Sequence, residues 1–292
     1  MTKFKALVVT SEYWRPDENY LEAIVERTKG KIADGDFLVI SEKAISTATN
    51  NIVDESKVNP RLSARLIARY WVPLFWGFFL GPACHLKPRL LNHLREYPKD
   101  AGSRHKQVAL QHASFLQTLM FGSEGGIDGS NLPYSYVSLP LKNALNVCER
   151  IGERLLQKSG KNVCVLIVDT DKTYSLGNFH FTPRSTCVEG IHCCGGFMVY
   201  VIGRMFKLKR RATPIAVAGC RVSAETALEI AQTANRARGF GAGRTVWDMV
   251  EKFGVSLTSV TWEMLETVKH KPIVIVRKRE RRKELWNPLL SS

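Results

Sequence analysis

The sequence predicts a mixed α/β fold, and three observations carry that reading. Densely apolar runs stop abruptly at polar side chains, as buried strands do at the rim of a sheet: Phe37–Ile40 before Ser41-Glu42-Lys43, and Val163–Val168 before Asp169-Thr170. Between them lie stretches whose apolar residues recur at three- and four-residue steps, the period of a helix. The 292 residues are 45% hydrophobic, enough for one large core or two intimately joined ones.

In chain order, Phe4–Thr10 alternates and is apolar enough for a first strand, and Tyr20–Lys29 has helical spacing through Leu21, Ile24 and Val25. Asp34-Gly35-Asp36 is a turn that leads into the strand Phe37–Ile40. Arg61–Leu80 begins amphipathic and becomes densely apolar around Trp71, Phe75, Trp76 and Phe79, with Pro73, Gly77, Gly81 and Pro82 interrupting it. Its continuous apolar part is about a dozen residues, short of the roughly 20 that span a bilayer. A buried helix or a subunit interface is the expectation, and an interfacial membrane contact helped by Arg61, Arg65 and Arg69 is the alternative.

Ser103–Met120 reads as a helix running into the turn Gly125–Asn131. Pro140 opens a helix with apolar residues at Leu141, Ala144, Leu145, Cys148, Ile151 and Leu155, and Gly160 closes it. The strand Val163–Val168 follows, then a polar stretch from Asp171 to Ser185, then strand-like runs at Met198–Ile202 and Ile215–Val217. Ser223 can cap a helix reaching about Arg238, with Glu225 in its first turn. Trp247–Phe253 and Val260–Val268 read as short helices and Ile273–Val276 as a final strand; no internal repeat is present.

The net charge is +15, with six basic residues and one acid in Arg277–Lys283 and four basic residues in Lys207–Arg211. A solvated face and tail account for this, as would attraction of phosphorylated substrates or non-specific nucleic-acid binding, though no zinc-ribbon, helix-turn-helix or RNP-type signature is present. Seven cysteines form no regular framework, so most are expected to be reduced, and Cys187, His192, Cys193 and Cys194 lack metal-ligand spacing. No signal peptide precedes Val9 and no segment has transmembrane length, so the expected address is the cytoplasm.

The chemistry concentrates in two acidic segments, Gly125–Asn131 and Val165–Thr170. If Asp128 and Asp169 converge, their repulsion calls for a hard divalent cation with a nucleotide phosphate. Gly239–Thr245 can free backbone amides for an anion, with Arg244 adding charge; a plain connector is the alternative. Taken singly, Asp128 and Asn131 could serve their own turn, and Asp169 could cap a following helix. His105 and His180 are given no role, and no catalytic residue is identified.

These segments together resemble the coenzyme F-420 gamma-glutamyl ligase family of archaeal and actinobacterial enzymes. The resemblance rests on Asp34–Ser46, Gly126–Asn131, Leu139-Pro140 and Asp169-Thr170, in the family's order and roughly its spacing. It covers about Ala33 to Thr170 well and the remainder loosely. It implies that Asp128 and Asp169 bind one divalent ion, Mg²⁺ or Mn²⁺, and Thr170 a second. It puts Glu42, Lys43 and Asn131 at the nucleotide, with Thr47 standing where the family has lysine and Gly241, Gly243 and Arg244 in the late nucleotide loop.

The implied reaction uses GTP to activate a phosphorylated carboxylate acceptor as an acyl phosphate, to which L-glutamate adds as an amide. The implied architecture is a mixed α/β fold of two interwoven subdomains, as a homodimer. One domain would span residues 1–276, with an apolar insertion near 61–86 and a basic tail at 277–292. The chain departs from the family at Ser123-Glu124-Gly125-Gly126, where the pattern is Ala-Asn-Ala-Gly. It also departs at Asp171–Tyr174, where the pattern is an arginine-rich Gly-Arg stretch, and it lacks the late loop's glutamine ligand. A paralogous ligase with another acceptor or amine is therefore an open alternative. A non-catalytic nucleic-acid-binding or scaffold protein of the same fold is another.

Overall fold

The structure is a computed structural model and describes residues 3–279. A seven-stranded mixed sheet forms its centre, with the path β1-β9-β2-β5-β6-β7 and β8 paired to β5. The strands are β1 (Phe4–Ser11), β2 (Phe37–Ser41), β5 (Cys164–Leu176), β6 (Phe179–Thr182), β7 (Ile191–Cys193), β8 (Lys209–Ala218) and β9 (His270–Lys278). A separate ribbon pairs β3 (Ile52–Asp54) with β4 (Tyr136–Ser138). β2 and β5 are parallel, with Ser41 opposite Val168, so β2 ends beside the point where β5 reaches Asp169.

Alternation along these strands builds two cores. Leu38, Ile40, Val165, Ile167, Ile273 and Ile275 face α1 (Tyr20–Thr28), α2 (Glu42–Ala48) and α8 (Ala144–Ser159). Phe37, Val39, Leu166, Val168, Val274 and Val276 face α10 (Ala224–Arg238). The fold is thus the expected mixed α/β, with the central sheet covered on both sides, which is why its strands read as near-continuous apolar runs. As expected, Ser223 caps α10 by accepting from the Thr226 amide at 3.3 Å. Arg277, placed by sequence in the basic tail, belongs to β9 and donates twice to the buried Asp36, each at 2.6 Å; residues 280–292 lie outside the described residues.

A helical layer flanks this body. It comprises α3 (Leu62–Leu66), a π-helical segment (Ile67–Leu80), α4 (Gly81–Ala83), α5 (Pro88–Arg95), α6 (Lys99–His112), α7 (Phe115–Thr118) and α9 (Phe197–Met205). Two shorter helices, α11 (Val246–Phe253) and α12 (Trp262–Glu266), follow the glycine-rich loop. Pro73 and Gly77 do not interrupt the apolar stretch as expected: Leu62 to Ala83 is continuously helical, and the wider i to i+5 winding accommodates Pro73.

Four further expectations are corrected. Met198–Ile202 is helix rather than strand, because a short apolar run carries no decisive period. Ser103–Met120 is two helices, parted where Ser114 starts a new capping box with Gln117. The last short helix is confined to Trp262–Glu266. The strand through Val168 does not stop at Asp169 but continues to Leu176 after a bulge, paired with β8 from Lys172–Ala212 to Ser175–Lys209. Cys164 and Cys220 form a disulfide, and Cys84, Cys148, Cys187, Cys193 and Cys194 are free.

Candidate functional site

The site lies where β2 ends, beside the bulge that interrupts β5. α2 begins immediately after β2, so Lys43 stands on its first turn above the strand ends. In the β5–β8 ladder Asp169 pairs with Thr213 and Lys172 with Ala212, so Thr170 and Asp171 are extra residues on the β5 side. Such a bulge turns side chains out of the regular alternation, and here it presents Asp169, Thr170 and Asp171 together at the rim. Asp128 arrives from the opposite side, held by reciprocal backbone bonds with Ser138 at 3.3 and 3.0 Å.

Asp128, Asp169 and Glu42 are each matched to a cation. Lys43 donates to the Asp128 carboxylate and, at 2.8 Å each, to the carbonyl and hydroxyl of Ser130. Asp128 Oδ1 also accepts the Ser130 amide at 2.7 Å. Arg184, nearly fully buried, donates from Nε to Asp169 Oδ2 at 3.1 Å and from its terminal nitrogen to Glu42. Its guanidinium lies against Gly126, where any side chain would collide with it. Glu42 Oε1 also accepts the Leu141 amide at 2.9 Å. Burial pushes the Glu42 carboxyl above its ordinary range, and Arg184 pulls the other way.

Asp171 is the group left over. Its Oδ2 is buried with no hydrogen-bond partner, and burial reinforced by the charge of Asp169 pushes its carboxyl well above the ordinary range. Burial likewise lowers the neighbouring Lys172, against the opposing pull of Asp171 and Asp169.

Two cavities open onto this row. One, of about 570 Å³, is lined by Lys43, Thr47, Asp128, Asn131, Asp169 and Thr170, the end of α10, the loop Gly239–Arg244 and the start of β9. Its Lys and Arg residues are Lys43, Lys172, Arg210, Arg236, Arg238, Arg244, Lys269 and Lys271, a surplus over the three aspartates that suits a polyphosphate. The other, of about 330 Å³, has aromatic walls including Tyr97, Phe121, Tyr136, Phe197, Tyr200 and Trp247. Ser123, Asp128, Thr170, Asp171, Lys172 and Arg244 line both.

The structure therefore brings Lys43, Thr47, Asp128, Asn131, Asp169, Thr170, Gly241, Gly243 and Arg244 to one cavity. Glu42 lies beneath it, engaged by Arg184. Asn131, in the left-handed region at φ 57°, spends its amide on the glycine-rich loop: Nδ2 donates to the Gly243 carbonyl at 2.9 Å and Oδ1 accepts the Ala242 amide at 2.6 Å. A Cβ on Gly241 would lie 2.5 Å from Asn131 Oδ1, which with its φ of +61° accounts for glycine there. Arg244 stacks over Phe240 at 4.1 Å.

Sequence reasoning missed Arg184, Asp171 and Ser130. Arg184 sits in a polar stretch with no local pattern, while the acid at Asp171, two residues past Asp169, was a visible signal. His105 is a structural clamp between Glu55 at 2.6 Å and Glu124 at 2.9 Å. Burial alone would lower its pKa, but the two carboxylates overcome this and push it up to about 10.

The donors at the rim are hard oxygens. Among the described residues, no three His, Cys, Asp or Glu side chains converge to hold an ion unaided. One divalent ion at Asp128 and Asp169 and a second at Thr170 would complete their shells with phosphate oxygens and water, as Mg²⁺ commonly does. Asp171 Oδ2, without a partner among the described residues, is consistent with such a neighbour.

Comparison with known proteins places these features in a family. Residues 9–277 match the family described as F420-0:Gamma-glutamyl ligase. An uncharacterized protein of Methanocaldococcus jannaschii is 31% identical over 288 residues, covering 94% of this chain and 97% of that protein. The coenzyme F420:L-glutamate ligase of Methanosarcina acetivorans is 32% identical over 79 residues, 26% of this chain and 31% of that enzyme.

Proposed function

The chain belongs to the F420-0:Gamma-glutamyl ligase family, and from that premise we propose that it is a GTP- and divalent-metal-dependent amide ligase. Its reaction joins L-glutamate to a small phosphorylated carboxylate acceptor of the coenzyme F-420 kind. The observation that supports this most is the shared row of residues between a basic cavity and an aromatic one. A nucleotide in the first and an acceptor in the second would meet at Asp128, Thr170, Asp171 and Lys172.

In this reading an acceptor carboxylate oxygen attacks the γ-phosphorus and GDP leaves, giving an acyl phosphate. The glutamate nitrogen then attacks the acyl carbon, phosphate departs and a proton is released as the amide forms. Asp128, Asp169 and Thr170 would hold Mg²⁺ or Mn²⁺, which neutralises charge on the transferred group. Lys43, Lys172 and Arg244 balance the phosphate oxygens, and the Asn131 latch fixes the glycine-rich loop over them. Arg184 is a positioning residue that orients Asp169 through one hydrogen bond and fixes Glu42 through another. No covalent protein intermediate is required, so alignment and charge are the protein's contribution.

Calorimetric titration tests the site. GTP is expected to bind only with Mg²⁺ or Mn²⁺, and Asp128→Asn and Asp169→Asn are each expected to abolish binding; unchanged affinity in both variants would sink the metal assignment. A second reading, a ligase for another acceptor or amine, is favoured by Asp171 and Lys172 at the junction, where the family carries its Gly-Arg stretch. Mass spectrometry of products from a panel of acceptors and amino acids separates the two.

A further inference from the structure

Among the described residues, the helical layer has an uncovered outer face. Along the π-helical segment the buried residues Ala68, Val72, Trp76 and then Gly81 recur every four or five positions, which leaves Tyr70, Leu74, Phe75 and Phe79 on the outside. Phe79 is 68% exposed. The face continues beyond that helix through ring contacts: Phe79 to Phe75 at 6.3 Å, Phe75 to Trp71 at 4.5 Å and Trp71 to Phe197 at 5.6 Å. Phe197 begins α9, whose Met198, Ile202 and Met205 are exposed at helical spacing, with Phe206 at its C-terminal cap exposed at 70%. Apolar patches of this continuity on a water-soluble surface mark contact sites.

Charge selects the occupant. From Arg61 to Arg95 the chain has six Lys or Arg and no Asp or Glu, and from Phe197 to Arg211 it has five and none. Arg89 is paired with Glu251, and Lys209 and the buried Arg211 with Glu225, which leaves Arg61, Arg65, Arg69 and Lys207 among those without an acidic partner among the described residues. Arg61, Arg65 and Arg69 are exposed on the same helical run as the apolar residues. A second copy docking through this face about a two-fold axis would set these charges against themselves. A bilayer with anionic headgroups offers the opposite sign together with an apolar interior. Among the described residues no helix is long and apolar enough to cross a membrane, so the mode this face fits is that of an interfacial helix bearing arginines.

We propose that this face docks peripherally on an anionic lipid surface. Phe75, Phe79 and Phe206 enter the acyl boundary, while Arg65, Arg69 and Lys207 meet the headgroups. None of these six residues lines either cavity of the candidate site, and of the ring contacts only Phe197 does, so the proposal stands apart from the ligase reading.

The test is co-sedimentation of the full chain with vesicles of phosphatidylglycerol and phosphatidylcholine, or of phosphatidylcholine alone, in about 0.1 M salt. The full chain is expected to bind the anionic vesicles about tenfold or more tightly than the zwitterionic ones. Phe79→Asp with Phe206→Asp, and separately Arg65→Glu with Arg69→Glu, should each weaken that binding about tenfold or more, with an unchanged circular dichroism spectrum. Should the aspartate pair fail to fold, Phe79→Ser with Phe206→Ser serves instead. Absence of vesicle binding overturns the proposal. So does binding indifferent to the phenylalanine changes, which would assign it to charge elsewhere, such as the basic tail. A lipid-free dimer that those changes dissociate also overturns it, because a second copy would then cover the face.

Discussion

Replacing Arg184 by methionine keeps an apolar stem but removes the charge that holds the inner side of the site. The guanidinium is 2% exposed and serves two carboxylates, Glu42 and Asp169, the first of which is itself buried and otherwise has only the Leu141 amide. Removing one member of a buried ion pair leaves the other uncompensated, at a cost of about 3–5 kcal/mol. For a chain of this size that is a fall of roughly 5–8 °C in Tm. The loss should depend on pH with a definite sign. Arg184 lowers the pKa of both Glu42 and Asp171, whose folded values already lie above the ordinary 4.5 and 3.8. Without it both rise further, so the folded variant is favoured while these groups are protonated and loses stability as pH climbs through their folded values.

Urea unfolding followed by circular dichroism at about pH 5 and about pH 8 reads this directly. The deficit of Arg184→Met relative to the unaltered protein should be larger at the higher pH. Adding Glu42→Gln should recover part of it, since an amide needs no counter-charge. A deficit below about 1 kcal/mol, or one equal at the two pH values, would refute the account of Arg184 as the counter-charge of the site.

Three other outcomes are expected. Gly241→Ala forces a Cβ toward Asn131 Oδ1 at a positive φ, and Asn131→Ala removes both bonds to the loop, so each should weaken GTP binding while costing only about 1–2 kcal/mol of stability; calorimetry and thermal melts together check this. His105, with its pKa raised from 6.5 to about 10, contributes stability that is complete below 6.5 and lost as pH passes 10; the destabilisation of His105→Gln should shrink over that window. The Cys164–Cys220 disulfide closes a sequence separation of 56 residues, so Cys220→Ser should cost up to about 4 kcal/mol, measured by urea unfolding under non-reducing conditions.

The sheet was legible because burial on two faces writes itself into sequence as apolar runs bounded by polar residues. β2, the first half of β5 and the centre of β9 could be read that way, and β1 by its alternation. α1 and α8 could be read by apolar steps of three and four residues, although α8 starts at Ala144 rather than Pro140, and α10 by its Ser223 cap. The short partners β6 and β7 and the ribbon β3–β4 could not, since segments of three or four residues borrow their stability from neighbours. α9 misled for a related reason: Met198–Ile202 is apolar throughout, and its exposed residues become a helical stripe only once the buried ones are known.

By itself the sequence determined the residue chemistry of the site: carboxylates at Asp128 and Asp169, a hydroxyl at Thr170, a lysine at Lys43 and a glycine-rich loop, in an order that marks the family. Only the tertiary structure decided how these groups are compensated. The bulge turns the buried Asp171 toward the site, while the Arg184 that reaches both Glu42 and Asp169 and the Asn131 latch on Gly243 join segments 15 to 142 residues apart. Electrostatic compensation acts through space over a few ångströms, and no periodicity along the chain encodes which distant charge will fill that space.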